Sequence, residues 1–260
     1  MHIQAFVISF KENTARRKML KQRFEDIGLD PVFIDAVRGS TLDEKEKAPF
    51  MRAGREFIFA TPMQDNAIGC ALSHFKAWEA FIASGTPFAL IFEDDAGPLE
   101  PNILPRIEEL AAMADRLDVV ILSNRREKLN RVKVKDLANG SGLYALKYND
   151  FGAESYFITQ AAAENFLHHP RRYISEVDFL LHHWWHHDRQ VIHLLPPLFG
   201  EDGRTSTIGY KDIPGWPDDK LRHKLSRRFA RAASSFRKRA SFPGYVARIK
   251  ARLNAGAEPK

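Results

Sequence analysis

Cysteine is almost absent from this chain. Cys70 stands alone among 260 residues, which excludes an intramolecular disulfide and gives no support for a thiolate cluster around a metal. A cytosolic location is the simplest expectation. Long apolar runs are missing too: no stretch approaches the roughly 20 uninterrupted apolar residues that a membrane-spanning helix needs. The opening residues His2 to Ser9 lack the basic start and long apolar region of a signal peptide and predict a first strand instead. Acidic residues all but vanish near the C-terminus. Residues 220–260 hold 13 Lys or Arg against one acid, Glu258, so this segment carries +12 of a chain whose net charge is +6, and the first 219 residues stand at −6. The remaining composition, 44% hydrophobic and 28% charged, is that of an ordinary globular protein long enough for one large domain or two small ones.

Against that background one stretch carries chemistry. Phe88-Ala89-Leu90-Ile91-Phe92 is a short apolar run entered through Gly85-Thr86-Pro87 and closed by Glu93-Asp94-Asp95. It predicts a buried strand whose carboxyl end opens onto carboxylates. If the extended geometry persists, alternation puts Glu93 and Asp95 on one face and Asp94 on the other. Open α/β sheets bind ligands at such strand ends, and paired carboxylates are the hard oxygen donors that Mg²⁺ or Mn²⁺ uses to hold a diphosphate. A solvated acidic strand end is the bland alternative.

Around this stretch the pattern is that of an α/β protein. Residues 2–8 predict a strand, the segment holding Arg16, Arg17, Leu20 and Phe24 a helix ended by Gly28, and Val32 to Val37 a second strand, which is the opening of a parallel unit. Asp35, near the end of that strand, either hydrogen-bonds a nucleoside or caps its loop. Residues 39–66 predict irregular structure or a short helix. Ile68, Ala71, Leu72, Phe75, Trp78, Phe81 and Ile82 follow the spacing of a core-facing helix in which Ser73 and His74 are the polar exceptions. Further on come a helix near 102–114, a strand at Asp118 to Leu122, a hairpin over 131–148 turning at Asn139-Gly140, a strand at Glu154 to Thr159, a helix over Ala161 to His168 and a strand at Val191 to Leu195. The polar stretch from Pro196 to Ile208 is a candidate binding loop.

Two segments invite competing readings. His182 and His186, or His183 and His187, are four apart as in helical zinc sites, but the glutamate expected after the first histidine is missing and Trp184-Trp185 fill the motif. Asp178, an acid on an otherwise apolar turn, is expected to be paired, capping or functional. Leu221, Leu225, Phe229, Ala233 and Phe236 form one stripe of a basic helix, which suits docking to an anionic membrane surface. No nucleic-acid recognition motif accompanies the charge.

Several landmarks together resemble glycosyltransferase family 25, the lipooligosaccharide glycosyltransferases whose relatives include procollagen galactosyltransferases. They are Val7-Ile8-Ser9 with Arg16-Arg17, Ile68-Gly69-Cys70-Ala71-Leu72-Ser73-His74 with Trp78, Ile91-Phe92-Glu93-Asp94-Asp95-Ala96, Glu154-Ser155-Tyr156-Phe157-Ile158-Thr159, Val177-Asp178, and Ser206-Thr207-Ile208. Asn66-Ala67 and Glu154-Ser155 depart from residues frequent in that family. The resemblance implies a GT-A-like single domain over 1–213 with a mixed, mainly parallel sheet, followed by a basic helical tail over 214–260. It implies inverting transfer of a sugar, galactose, from a UDP-sugar to a saccharide acceptor such as a lipopolysaccharide core, at the inner face of the cytoplasmic membrane. In this reading Glu93 and Asp95 hold Mn²⁺ or Mg²⁺, Ser9, Arg16, Asp35, Ser73, His74 and Asp94 line the donor site, and Asp178 is the base. A non-catalytic nucleotide-sugar or carbohydrate-binding protein and a hydrolase built on the histidine cluster are the alternatives.

Overall fold

The opening apolar run forms β1 (Gln4–Ser9), α1 (Thr14–Asp26) follows, and β2 (Asp30–Asp35) returns parallel to β1. The structure is a computed structural model describing residues 3–53, 63–124, 130–138, 140–147, 152–170, 172–173, 176–201 and 221–255. Gly28 links α1 to β2 at φ +81°, a left-handed conformation open to a residue without a Cβ. The stretch expected to be irregular or a short helix contains a ten-residue helix, α2 (Glu44–Ala53). Its start is a capping box, with Glu46 N–H donating to Asp43 Oδ1 at 2.8 Å and Asp43 N–H to Glu46 Oε2 at 2.9 Å.

The chain continues through α3 (Asp65–Ala83), β3 (Phe88–Glu93), β4 (Ala96–Pro98), α4 (Leu104–Ala111), β5 (Val119–Ile121), the hairpin β6 (Arg131–Asp136) and β7 (Gly142–Leu146), β8 (Ser155–Thr159), α5 (Gln160–His168), α6 (Val177–His182), α7 (Trp184–His187), β9 (Val191–Leu195), β10 (Phe199–Glu201) and α8 (Leu221–Asn254). The predicted hairpin turn includes Asn139, the family landmarks include Ser206-Thr207-Ile208, and the predicted domain boundary is at 213; all three lie outside the described residues.

Eight strands make one mixed sheet in the order β2-β1-β3-β8-β5-β9-β7-β6, in which β8 and β7 oppose the other six. The reversal of β8 sets the neighbour of the acidic strand end. Ser155 pairs with Phe92, and Glu93 N–H donates to Glu154 O at 2.8 Å, so the start of β8 lies beside the carboxyl end of β3. Phe92 meets Phe24 of α1 at 4.6 Å between ring centres, whereas Glu93 meets α3, as strand alternation requires. Gly69 lets α3 approach the chain after β2: a Cβ there would lie 2.6 Å from Val37 O and 2.7 Å from Gly39 N.

The face of α8 that packs on the domain lies C-terminal to the stripe read for membrane docking. Phe242, Tyr245, Ile249 and Leu253 are buried, while Phe236 is 75% exposed and the side chains of Leu221, Leu225 and Phe229 lie outside the described set. Tyr245 stacks on Trp184 at 3.9 Å, and its hydroxyl both donates to Val191 O and accepts from Val191 N–H at 2.7 Å. Arg252 donates to the buried Asp118 carboxylate at 2.8 Å. These contacts hold α8 to the amino ends of β5 and β9, opposite the acidic end of β3. No helix among the described residues is long and apolar enough to cross a membrane.

The histidine-rich segment is not one helix. His183, at φ −85° and ψ 53°, separates α6 from α7, so neither pair of histidines keeps helical four-residue spacing. His182 Nε2 lies 2.9 Å from Gly152 O; His187 Nε2 lies 3.3 Å from Leu181 O, and its Nδ1 accepts from Arg189 N–H at 3.1 Å. Backbone groups thus face His182 Nε2 and both nitrogens of His187, and with the four-residue spacing lost the hydrolase alternative is weakened.

Candidate active site

β3 ends at Glu93, and Asp94 and Asp95 form a turn before β4. The extended geometry that was to place Glu93 and Asp95 on one face therefore stops short of Asp95. Glu93 Oε1 lies 4.0 Å from Cys70 Sγ on α3, and Asp95 acts on the same thiol through its charge. Burial pushes the Cys70 thiol well up, and the negative charges of Glu93, Asp178, Glu176 and Asp95 push it further. Acids from the end of β3 and from the start of α6 thus share one neighbourhood.

A chain of side chains fixes Glu93. Trp78 Nε1–H donates to Tyr156 Oη at 2.8 Å, Tyr156 Oη lies 2.8 Å from His74 Nδ1, and His74 Nε2 lies 3.2 Å from Glu93 Oε1. Indole can only donate, so the arrangement that satisfies every group has Tyr156 O–H donating to Nδ1 and a neutral His74 donating its Nε2–H to the carboxylate. Burial pushes the Tyr156 hydroxyl well above its ordinary pKa, which keeps that proton in place. Helical spacing alone singles out His74 and Trp78; Tyr156 is visible in the sequence only as a strand residue, because its partners lie 78 and 82 positions away.

On the other face, Ser9 Oγ–H donates to Asp94 Oδ2 at 2.9 Å, and Arg16 Nε–H donates to Asp94 O at 2.8 Å. Arg17 binds Ser9 O at 2.6 Å and Asp35 Oδ1 at 2.7 Å. Ser9, Arg16, Asp35 and Asp94 are therefore brought together through Arg17 and Ser9, with Asp94 tied to α1 and β1. Ser73 is placed differently from a ligand contact: 2% exposed, its hydroxyl donates to Gly69 O at 2.6 Å and accepts from Val37 N–H at 2.8 Å. It sets the backbone of the helix turn beside the acids.

Asp178 is half-buried, and its Oδ1 accepts from Phe179 N–H at 2.7 Å. Glu176, two residues earlier, is not among the acids that the sequence pattern singles out. Burial, then the charge of Asp178, pushes its carboxyl up to about 7, the range in which a carboxylate exchanges protons at neutral pH. The signal that could have found it is a second acid just ahead of the same short helix. Glu154, 1% exposed, accepts from Ser123 Oγ–H at 3.1 Å beside the same strand ends. β10, within the predicted binding loop, pairs with β4 directly after the acidic turn.

The model of "Glycosyltransferase family 25 (LPS biosynthesis protein)" matches residues 2–181. A "Glycosyltransferase 25 family member" of Aedes aegypti is 29% identical over 128 residues, 46% of this chain and 21% of that protein. A "Probable inactive glycosyltransferase 25 family member 3" of Rattus norvegicus is 25% identical over 170 residues, 63% of this chain and 29% of its own length. This chain thus spans under a third of either relative. A solved glycosyltransferase involved in glycosylating the major capsid of PBCV-1 aligns over 89% of this chain and 100% of its own, at 10% identity and a TM-score of 0.41.

Proposed function

Because the chain belongs to glycosyltransferase family 25, we propose that it moves a sugar, galactose, from a UDP-sugar to a saccharide acceptor such as a lipopolysaccharide core, with inversion. The observation that carries this reading is the Glu93 carboxylate at the end of β3, 3.2 Å from His74 and 4.0 Å from Cys70 of α3, with the charges of Asp95, Glu176 and Asp178 acting on the same thiol.

Carboxylate oxygens in so acidic a surround suit a hard divalent cation, Mn²⁺ or Mg²⁺, held by Glu93 and Asp95. When bound, it offsets the negative charge that grows on the departing UDP. The protein's own groups do the rest. His74, steadied by Tyr156 and Trp78, keeps the Glu93 carboxylate in place. Arg16 and Arg17, with Ser9, Asp35 and Asp94, build the wall on the α1 side where the donor lies. The acceptor hydroxyl loses its proton to Asp178, whose neighbour Glu176 is held near neutrality and keeps the proton local.

The test is UDP release from a panel of UDP-sugars, with a saccharide acceptor, with and without Mn²⁺. Metal-dependent turnover with one donor is expected. Binding of UDP-sugar without turnover would favour a non-catalytic binding protein, a reading that the inactive relative keeps in view. Neither binding nor turnover would sink the proposal.

The proposal extends to location, a peripheral position on the cytoplasmic face of the membrane. Residues 232–241 of α8 hold no buried side chain, and exposed Phe236 is followed by Arg237, Lys238 and Arg239, a pairing of apolar and basic groups that suits anionic headgroups. Co-sedimentation with anionic vesicles is expected, weakened by salt and by Phe236→Ser. Equal binding to neutral vesicles would contradict it.

A further inference from the structure

Cys70 and His74 are four residues apart on α3, and Glu93 reaches them from the end of β3. Together they are the one group among the described residues whose metal-binding atoms all lie within 4.8 Å of one another. We propose that these three side chains form a site for a thiophilic divalent cation, Zn²⁺, distinct in donor set from the all-oxygen site that Glu93 and Asp95 would make.

The geometry is close to what zinc requires. Bonds of about 2.0–2.3 Å at tetrahedral angles place ligand atoms roughly 3.3–3.8 Å apart. Here His74 Nε2 and Glu93 Oε1 are 3.2 Å apart, and Cys70 Sγ and Glu93 Oε1 are 4.0 Å apart. The three ligand atoms all lie within 4.8 Å of one another, so shifts of about an ångström close the triangle, and three protein ligands leave a fourth position for water. The imidazole already has the outer partner that a metal-bound histidine needs: with its proton moved to Nδ1, Tyr156 Oη accepts it. The cation takes the place of the hydrogen now lying between Nε2 and Oε1, and the Cys70 thiol releases its proton to solvent as the Zn–S bond forms. The acids that oppose a bare thiolate, Asp95, Glu176 and Asp178, favour a dication. A thiolate and an imidazole select zinc over manganese or magnesium.

A consequence rests on the transferase reading. Zn²⁺ at this site engages Glu93 and withdraws it from the donor-site cation, so Zn²⁺ inhibits transfer in competition with Mn²⁺.

The experiment is a titration of the metal-free protein with Co²⁺, followed by absorption. A thiolate-to-cobalt charge-transfer band is expected, reversed by one equivalent of Zn²⁺ and left unchanged by Mn²⁺. Cys70→Ala abolishes the band, and His74→Gln weakens Co²⁺ binding by about 10-fold or more. Absence of the band in wild-type protein, or its persistence in Cys70→Ala, overturns the proposal. Because the assay reads no sugar transfer, it can fail while UDP-sugar turnover stands, or succeed where no donor is used.

Discussion

Asp95→Asn is expected to lower UDP-sugar turnover by roughly 10²- to 10³-fold, about 3–4 kcal/mol of transition-state stabilisation, while leaving thermal stability nearly unchanged. The carboxylate is half-buried on the turn after β3, and it contributes to the negative field at Cys70. The amide keeps the shape and removes the charge, so the loss falls on groups that respond to charge, the cation and through it the departing diphosphate. Asp94→Asn is the informative contrast. Asp94 accepts from Ser9 and lies 3.4 Å from Arg16 Nε, so it ties the acidic turn to β1 and α1. Its replacement shifts the melting temperature as well as the rate. Turnover in Asp95→Asn within about threefold of wild type would remove Asp95 from the donor site.

The second large effect is acid destabilisation. Burial, helped by neighbouring imidazoles, lowers His183 to about 2 and His187 to about 3, and it lowers His193 well below the ordinary value of 6.5. Folded-state values below the unfolded ones mean that the unfolded chain binds more protons below pH 6.5. Stability is therefore full above 6.5 and falls as pH drops. His183 and His187 each cost ~2 kcal/mol by pH 5, and His193 acts in the same direction, a loss that is a large fraction of the whole stability of many domains. Glu176 works in the opposite sense. Its raised value makes the folded state the better proton binder between about 7 and 4.5, returning at most ~3 kcal/mol, and less because the group is partly solvated. Urea unfolding at pH 7.5 and pH 5 measures the balance, with a marked fall in midpoint expected at the lower pH. His187→Asn removes one titrating group and flattens the slope; a free energy independent of pH over that interval would contradict the account.

Much of this protein is legible without coordinates. Continuous apolar runs locate β1, β3 and β9, which are buried on both faces, and three-four spacing locates α1 and α3, because both signals are local in the chain. The Asp43 and Glu46 capping box is equally local, and it decides between the irregular structure and the short helix that the polar composition around it allows. The break at His183 is not legible: helical spacing runs through it, and only the packing of Trp184 and Trp185 against α8 stops the helix there. Nor does the pattern of α8 say that Phe242, Tyr245, Ile249 and Leu253 are buried, because a partner such as Val191 of Tyr245 lies 54 positions away.

The same division holds at the site. By itself, the sequence determined that carboxylates stand at the end of a buried strand, that Ser73 and His74 interrupt an apolar helix face, and that Asp178 opens a later helix. Only the tertiary structure decided which of these groups meet. Strand order laid β8 beside β3 in reverse, which put Tyr156 under His74 and His74 against Glu93. Packing of α3 on the sheet carried Cys70 to the same acids, and the turn after β3 gave Asp94 to the framework. These pairings join residues 19 to 85 positions apart. Chain periodicity carries no record of them, because the contacts form only when the core closes and each side chain takes the partner left within reach.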